Sequence, residues 1–317
     1  MPERPLFFDL YRLNIVDEGL LPFMGAVIRG DDEILRVLSA STSSRFDRIT
    51  ESERTTFKWS LREFTVYEAE TLKKSPTIVG LTLARSVMVQ RGRTVTDHSI
   101  EDAQSELSPP SADTAFLLFQ IPRHLVVAEY NSTLMSTNLW RDSLQSILDD
   151  AARSLEFQSV IRLEPVPREA EILGVFRSFQ SLTRMRVRLR IPNPELDRRT
   201  ERLRRDLAAG GIREYTQDMK NPRGLSQSEE HLPFATAAMA QAGYKDGEIT
   251  MTGYKDGRRR TIRTGKRAAR GRIDGLKDFV RGMAANARSK ETQAAIASIL
   301  DEVNRIAELP APPEGEG

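Results

Sequence analysis

The amino-acid sequence predicts an α+β protein of two modules, built from mixed or antiparallel sheets with helices packed on one face. Strand-like runs dominate the first half of the 317 residues, and strands alternate with amphipathic helices after residue 158. Charge also divides between the two halves. We therefore expect an acidic, β-rich α+β module at residues 1–157, a basic α+β module at residues 158–309 and a disordered tail at residues 310–317.

In the first half, runs of β-branched and aromatic residues predict five strands, at residues 7–16, 57–70, 77–90, 115–121 and 125–130. Helical spacing of apolar residues predicts helices at residues 31–38 and 137–155. The polar residues 39–56 are expected to form a loop, and the acidic residues 97–113 a surface excursion.

The second module is expected to be ferredoxin-like (split βαβ), with a C-terminal hairpin and helices. Its predicted elements alternate, as strand 160–166, helix 169–179, strand 183–191, helix 195–207 and strand 212–218. Asn193 and Pro194 are suited to start the second of these helices, as N-cap and first helical residue. A helix at residues 229–242 and two closing helices, at residues 276–287 and 296–306, follow.

A short repeat lies in the second module. The sequence Gly-Tyr-Lys-Asp-Gly occurs twice, at residues 243–247 and 253–257. Asp-Gly is a preferred two-residue hairpin turn, so both copies are expected to be turns. This predicts strands at residues 248–252 and 258–264.

Composition excludes several classes of site. The sequence contains no cysteine, which excludes disulfides, thiolate zinc sites, iron–sulfur clusters and cysteine nucleophiles. No run approaches the roughly 18 apolar residues of a transmembrane helix, and the first residues lack the features of a signal peptide. The expectation is a soluble cytoplasmic protein that has no membrane partner.

The net charge of +2 conceals a strong segregation along the chain. Residues 1–150 contain 16 Lys and Arg against 22 Asp and Glu, whereas residues 151–317 contain 31 against 23. The densest stretch, residues 255–272, holds nine basic residues and one acid, Asp256. This pattern predicts an anion-binding module beside an acidic one.

The predicted strand 183–191 alternates arginine with apolar residues. Side chains on a strand point alternately to opposite faces, so its arginines should form a stripe on one face, Arg184, Arg186, Arg188 and Arg190. Their spacing of about 7 Å resembles the phosphate repeat of a single nucleic-acid strand. The alternative is a solvated sheet face whose arginines pair with nearby acids. The strand has no aromatic residue, so base stacking on it is not expected.

The basic run after the second repeat copy is a second candidate for phosphate contacts. Its members are Arg258, Arg259, Arg260, Arg263, Lys266, Arg267, Arg270 and Arg272. Arg259, Thr261 and Arg263 should share one face of a strand, and residues 265–271 should form a flexible loop. Such a hairpin and loop suit a duplex backbone or groove; the alternative is a solvated loop.

Catalytic patterns are weak by comparison. The sequence contains no phosphate-binding loop, dinucleotide fingerprint, nucleophile elbow or zinc-protease helix. On a helix, Asp97 and Glu101 would share a face, as would His98 and Asp102, and these acids suit Mg²⁺ or Mn²⁺. We expect such an ion only if the protein is a nuclease, and no cofactor or metal otherwise.

Several segments together carry a resemblance to known proteins. They are the aromatic start Phe7-Phe8-Asp9-Leu10-Tyr11, the run from Phe119 to Glu129, the Asn193-Pro194 helix start and the hairpin after Gly243-Tyr244. The sequence resembles bacterial families of undefined function found in phage-defence and mobile loci. The resemblance implies a prokaryotic cytoplasmic protein that works with a partner encoded nearby.

The function that these observations favour is nucleic-acid binding, to DNA or RNA, through the phosphate backbone, as a component of a bacterial phage-defence system. The acidic module is expected to contact a protein partner or a second copy of the chain. Two alternatives remain open at this point. One is a metal-dependent nuclease, and the other is a structural, oligomeric protein-interaction module.

Overall fold

Two sheets organise the computed structural model, which describes residues 4–17, 30–67, 77–106, 108, 111–157, 159–168, 171–190, 203, 206–207, 209–210, 212 and 214–307. Every strand pairing in it is antiparallel, and helices pack on both sheets, so the predicted α+β class is confirmed. The tail at residues 310–317 and most of the helix expected at residues 195–207 lie outside the described residues.

The strands are β1 (Leu6–Asp17), β2 (Arg48–Glu51), β3 (Thr55–Tyr67), β4 (Ile78–Val95), β5 (Ile100–Glu106), β6 (Ala112–Gln120), β7 (Leu125–Glu129), β8 (Ser159–Pro165), β9 (Ser181–Arg190), β10 (Glu214–Lys220), β11 (Ile249–Lys255), β12 (Arg258–Thr264) and β13 (Arg270–Ile273). The helices are α1 (Asp31–Ala40), α2 (Ser132–Met135), α3 (Leu139–Ser154), α4 (Glu171–Arg177), α5 (Leu232–Gln241) and α6 (Lys290–Ala307). Most of the predicted elements are present within a few residues of their expected bounds.

The nine-stranded sheet has the order β13-β1-β7-β6-β4-β3-β2, with β5 paired to β4 and β8 paired to β1. Helices α1 and α3 cover one face, and residues 280–306 cover the other. The expectation of helices on one face is wrong here, because the central strands are apolar on both sides. On β6, Leu117 and Phe119 pack toward α3, whereas Phe116 and Leu118 pack toward α6.

The chain is not divided between the sheets at the expected boundary, residues 157 and 158. β8 pairs with β1 from Tyr11–Pro165 to Asp17–Ser159, and β13 pairs with the start of the same strand. The chain therefore leaves the nine-stranded sheet after β8, forms the other sheet between residues 171 and 264, and returns. Strand pairing joins segments that are far apart in sequence, so a change of composition along the chain does not mark the boundary.

The four-stranded sheet has the order β10-β9-β11-β12, and α4 and α5 pack on one of its faces. β10 and β11 are each antiparallel to β9, which lies between them, and α5 connects them. This is a split β-α-β connection, but it is formed by β10, α5 and β11 and not by the elements expected for it at residues 160–218. β8, the strand expected to begin the ferredoxin-like unit, instead lies in the nine-stranded sheet because it pairs with β1.

Some local predictions were wrong. The expected loop at residues 39–56 contains β2, and the polar excursion contains β5, because β3 and the long β4 offer partners to both segments. Two short 3₁₀ segments, Val280–Gly282 and Ala284–Asn286, stand where a helix was expected at residues 276–287. The first repeat copy links α5 to β11 and is not a hairpin turn. Among the described residues, no helix has both the length and the apolar character to cross a membrane.

Candidate nucleic-acid interface

The exposed face of the four-stranded sheet is the face that α4 and α5 leave uncovered. On β9, Leu182, Met185, Val187 and Leu189 are buried against the helices. The alternate residues, Arg184, Arg186, Arg188 and Arg190, lie on the opposite face, which is open to solvent except at Arg190, whose side chain is 11% exposed. The alternation expected from the sequence is therefore present, and the stripe runs along an interior strand.

Strand register places further cations on this face. Arg186 lies opposite Thr250 of β11, and Thr250 lies opposite Arg263 of β12. Because directly opposite residues share a face, Arg186 and Arg263 lie in one row across the sheet. By the same rule Lys220 joins the face beside Arg184, and Arg259 joins it opposite Tyr254.

Carboxylates hold three of the four stripe arginines. Arg184 donates two hydrogen bonds to Asp218, from Nε to Oδ1 at 2.8 Å and from Nη2 to Oδ2 at 2.6 Å. Arg188 and Arg190 share Asp246, at 3.0 and 3.1 Å, and both also approach Glu214. The hydrogen bonds from Arg184 are the main cause that lowers the pKa of Asp218 to about 2. The alternative expected from the sequence, arginines paired with nearby acids, thus applies to most of the stripe.

The cations without such partners lie on the same face of β9 and β12, with β11 between them. Within the described part of the chain, no carboxylate pairs with Arg186, Arg259 or Arg263. The face has seven cationic side chains and, among the described residues, three carboxylates that pair with them, namely Glu214, Asp218 and Asp246. Arg186 lies opposite Asp218 in the strand register but forms no ion pair with it, and Arg259 and Arg263 on β12 are two strands away from the acids of β10.

The structure separates the basic run of residues 258–272 into several surfaces. Arg258 and Arg260 lie on the opposite side of β12 from Arg259 and Arg263, because side chains alternate along the strand. Lys266 and Arg267 are exposed on the connection between β12 and β13. The run therefore does not form one continuous phosphate-binding surface.

Arg270 and Arg272 correct the prediction of a flexible basic loop, because both belong to β13. Arg270 donates to both carboxylate oxygens of Asp9, at 2.7 and 3.0 Å, and its guanidinium lies 3.6 Å from the centre of the Tyr130 ring. Arg272 pairs with Asp274 at 2.9 Å. This segment is a strand because it pairs with β1, and its two arginines therefore belong to the nine-stranded sheet.

Tyr254 is a residue that sequence reasoning missed. Its side chain is 48% exposed and lies on the basic face, opposite Arg259. It lines an open depression together with Thr183, Arg184, Lys220, Pro222 and Arg259. β9 itself lacks aromatic residues, but the neighbouring strand β11 supplies one. The alternation of side chains along the predicted hairpin at residues 248–264 could have indicated that Tyr254 shares a face with Arg259.

The acids considered for a metal site lie in the other sheet. Asp97 is in the turn between β4 and β5, and Glu101 and Asp102 are on β5, so the helix that would have gathered them is absent. Asp102 lies 3.5 Å from Arg93, and Glu101 accepts a hydrogen bond from Ser99. Among the described residues, no three His, Asp or Glu side chains are grouped closely enough to hold a metal ion.

Comparison with known proteins places part of the chain in one family. Residues 89–276 match the model of a domain of unknown function, DUF4747. None of the curated proteins matches the chain. The matched residues begin within β4, include all of the four-stranded sheet and β13, and make up more than half of the chain. The chain therefore belongs to the DUF4747 family, which agrees with the predicted resemblance to a family of undefined function.

Proposed function

We propose that the protein binds nucleic acid through its phosphate backbone, on the exposed face of the four-stranded sheet. One observation carries the proposal: Arg186, Arg259 and Arg263 lie on the same face of nearby strands, and none pairs with a carboxylate in the described part of the chain. Unpaired arginines that share a face repel one another, and a polyanion relieves that repulsion. A guanidinium can also donate two hydrogen bonds to one phosphate.

The paired arginines support the same role in a different way. Asp218 accepts from Nε and Nη2 of Arg184, which leaves the Nη1 side of the guanidinium free for a further acceptor. A side chain held in one orientation loses less conformational entropy when it binds a phosphate. Because the pKa of Asp218 is lowered to about 2, this carboxylate stays ionised and can orient Arg184 even in moderately acid solution.

Charge reversal on the face tests the proposal. The variant Arg186→Glu/Arg263→Glu changes the centre of the row that crosses β9, β11 and β12. We expect its affinity for labelled DNA or RNA oligonucleotides to fall at least tenfold, because two phosphate contacts are lost. The slope of log affinity against log salt should decrease in magnitude by about 2. Fluorescence anisotropy between about 0.05 and 0.2 M salt measures both quantities.

The matched control is Arg258→Glu/Arg260→Glu. It makes the same change of net charge within the same sheet, on the side of β12 that faces away from Arg259 and Arg263. We expect this control to weaken binding much less than the variant of Arg186 and Arg263. Equal losses from the two double variants would mean that net charge alone governs binding, and the proposed face would be wrong.

Cleavage is a separate question from binding. In the described residues, Asp97, Glu101 and Asp102 belong to the nine-stranded sheet, whereas the arginine stripe belongs to the four-stranded sheet. This arrangement favours binding over a metal-dependent nuclease. Incubation of labelled DNA and RNA with the protein, with and without Mg²⁺ or Mn²⁺, checks that the strands stay intact.

The resemblance to proteins of phage-defence loci adds a cellular setting to the proposal, in which nucleic-acid binding serves defence beside a protein partner. Residues 171–264 contain 19 Lys and Arg against 12 Asp and Glu, and the rest of the chain contains 28 against 33. The acidic remainder is accordingly the part proposed to contact a protein partner or a second copy.

Two experiments test these roles. Phage plating on cells that carry the wild-type gene or the Arg186→Glu/Arg263→Glu variant tests the defence role. Mass measurement at low and high salt tests self-association.

A further inference from the structure

We infer that the proposed interface accepts single-stranded nucleic acid, with an unpaired base stacked on Tyr254 and the adjoining phosphates held by Arg184, Lys220 and Arg259. This inference rests on the proposed function and deepens it. Phosphate contacts alone do not separate single strands from duplexes. A base stacked on Tyr254 adds a contact that only a single strand can make.

The position of Tyr254 supports a stacking role. Its ring lies on the basic face and borders an open depression whose lining includes those three cations. In the described part of the chain, no hydrogen bond, aromatic pair or cation–π contact engages its side chain. Among the described residues, the other exposed aromatic side chains are Phe7 and Phe279, and both lie outside the four-stranded sheet. An aromatic ring that is half exposed, unengaged and surrounded by cations is suited to a ligand that has both a flat apolar face and negative charge.

The charges around the depression fit one nucleotide. Arg184 and Lys220 share a single carboxylate, Asp218, at 2.6 and 3.3 Å, and Arg259 has none in the part of the chain described. The depression therefore has a net positive charge, which suits a phosphate beside a base on Tyr254. In a duplex the faces of each base are covered by the neighbouring base pairs, whereas a single strand can turn a base onto the ring.

The test compares oligonucleotides that differ in their bases but not in their phosphates. Labelled oligo(dT) and oligo(U) of about 12 nucleotides, an abasic strand of the same length and a duplex are titrated by fluorescence anisotropy. The variants are Tyr254→Leu, which removes the ring, and Tyr254→Phe, the matched control that keeps it. Circular dichroism verifies that both variants are folded.

We expect at least one of the two base-bearing strands to bind more tightly than the abasic strand and the duplex. Tyr254→Leu should weaken that binding by about 5- to 150-fold, which corresponds to the loss of one stacked base. Its affinity for the abasic strand and its salt slope should stay as in the wild type, and Tyr254→Phe should behave as the wild type. Comparison of oligo(dT) with oligo(U) separates DNA from RNA.

Other outcomes separate this inference from the proposed function. The stacking inference would be wrong if Tyr254→Leu bound oligo(dT) and oligo(U) as tightly as the wild type does. It would also be wrong if the wild-type protein bound the abasic strand as tightly as the base-bearing strands, or bound the duplex more tightly than them. In those cases phosphate binding would still stand if Arg186→Glu/Arg263→Glu weakened binding of the abasic strand or the duplex. If the wild-type protein bound none of the four probes, both proposals would be wrong.

Discussion

The same five residues, Gly-Tyr-Lys-Asp-Gly, lie in opposite environments at residues 243–247 and 253–257. Tyr244 is 2% exposed and Tyr254 is 48% exposed. The first copy joins the two sheets to each other, and the second borders the proposed nucleic-acid interface. Identical local sequence has therefore been used once for the interior and once for the surface.

Side chains from the nine-stranded sheet enclose the first copy. Arg12 of β1 is buried, lies 4.6 Å from the centre of the Tyr244 ring and donates to the carbonyls of Ala242 and Arg123. Lys245 is 1% exposed, and its Nζ lies 3.7 Å from Oε2 of Glu164 on β8. Burial lowers the pKa of Lys245 and raises that of Glu164. Contacts with β1 and β8 of the nine-stranded sheet therefore hold the first copy in place, and it acts as a joint between the two sheets.

The second copy is a hairpin turn with one side open to solvent. Asp256 and Gly257 have φ values of 52° and 70°, as a two-residue turn between β11 and β12 requires. Lys255 donates from Nζ to the hydroxyl of Ser178 at 3.2 Å. No strand of the nine-stranded sheet pairs with this hairpin among the residues described. The difference teaches that the pairing partners, and not the five residues themselves, determine burial.

Removal of the two tyrosine rings should give the largest contrast. Tyr244→Ala should lower the free energy of unfolding by about 3–5 kcal/mol, the usual cost of deleting a buried aromatic side chain. Tyr254→Ala should change it by no more than about 0.5 kcal/mol, because the ring is half exposed. Urea unfolding measures both variants. Similar losses would show that the two copies are not distinguished by burial.

Replacement of the two lysines should give a smaller contrast. Lys245→Met leaves Glu164 buried without its nearby cation and should cost about 3 kcal/mol, whereas Lys255→Met should cost less than about 1 kcal/mol. Adding Glu164→Gln to Lys245→Met should recover part of the loss. If Lys245→Met were as stable as Lys255→Met, the pair with Glu164 would not stabilise the joint.

The pH dependence of Lys245→Met follows from the raised pKa of Glu164. A carboxyl group whose pKa is raised in the fold binds protons more tightly there than in the unfolded chain. The variant should therefore be most stable below the ordinary Glu pKa of 4.5 and should lose stability as the pH rises above it. Lys245→Met/Glu164→Gln lacks this group and is the control. Parallel stability curves for the two variants would contradict the prediction.

The last glycines of the two copies should respond alike, with the smallest effect. Gly247 and Gly257 have φ values of 72° and 70°, and a Cβ at either position would meet no atom within 4 Å. Only the backbone conformation is strained by Gly247→Ala or Gly257→Ala, so each should cost about 1–2 kcal/mol. Thermal unfolding of the two variants should give shifts of the same size. Unequal shifts would mean that the copies differ in their turns as well as in their burial.

Several features could be predicted from sequence because they depend on neighbours along the chain. The stripe on β9, the buried face of α3 and the turn at Asp256 and Gly257 each follow a local period or turn preference. The apolar run at residues 115–121 also predicted the strand β6. What it did not indicate was that helices would cover both faces, since that depends on distant segments.

The candidate site was only partly predictable for the same reason. Arg184, Arg186, Arg188 and Arg190 were identified from alternation alone, and the partners Asp218 and Asp246 were not, because they come from β10 and from the first repeat copy. Arg270 looked like a member of the basic surface, but β13 pairs with β1 and places it against Asp9.

The sequence by itself determined most of the elements, the alternation within each strand and the segregation of charge. Tertiary structure decided which strands are neighbours, and hence that Arg263, Arg259 and Tyr254 share a face with the arginine stripe while Tyr244 and Lys245 are buried. The physical reason is the distance along the chain over which each property is set. The direction of a side chain on a strand is set by its own backbone, whereas the residue beside it is set by pairing with segments that are distant in sequence.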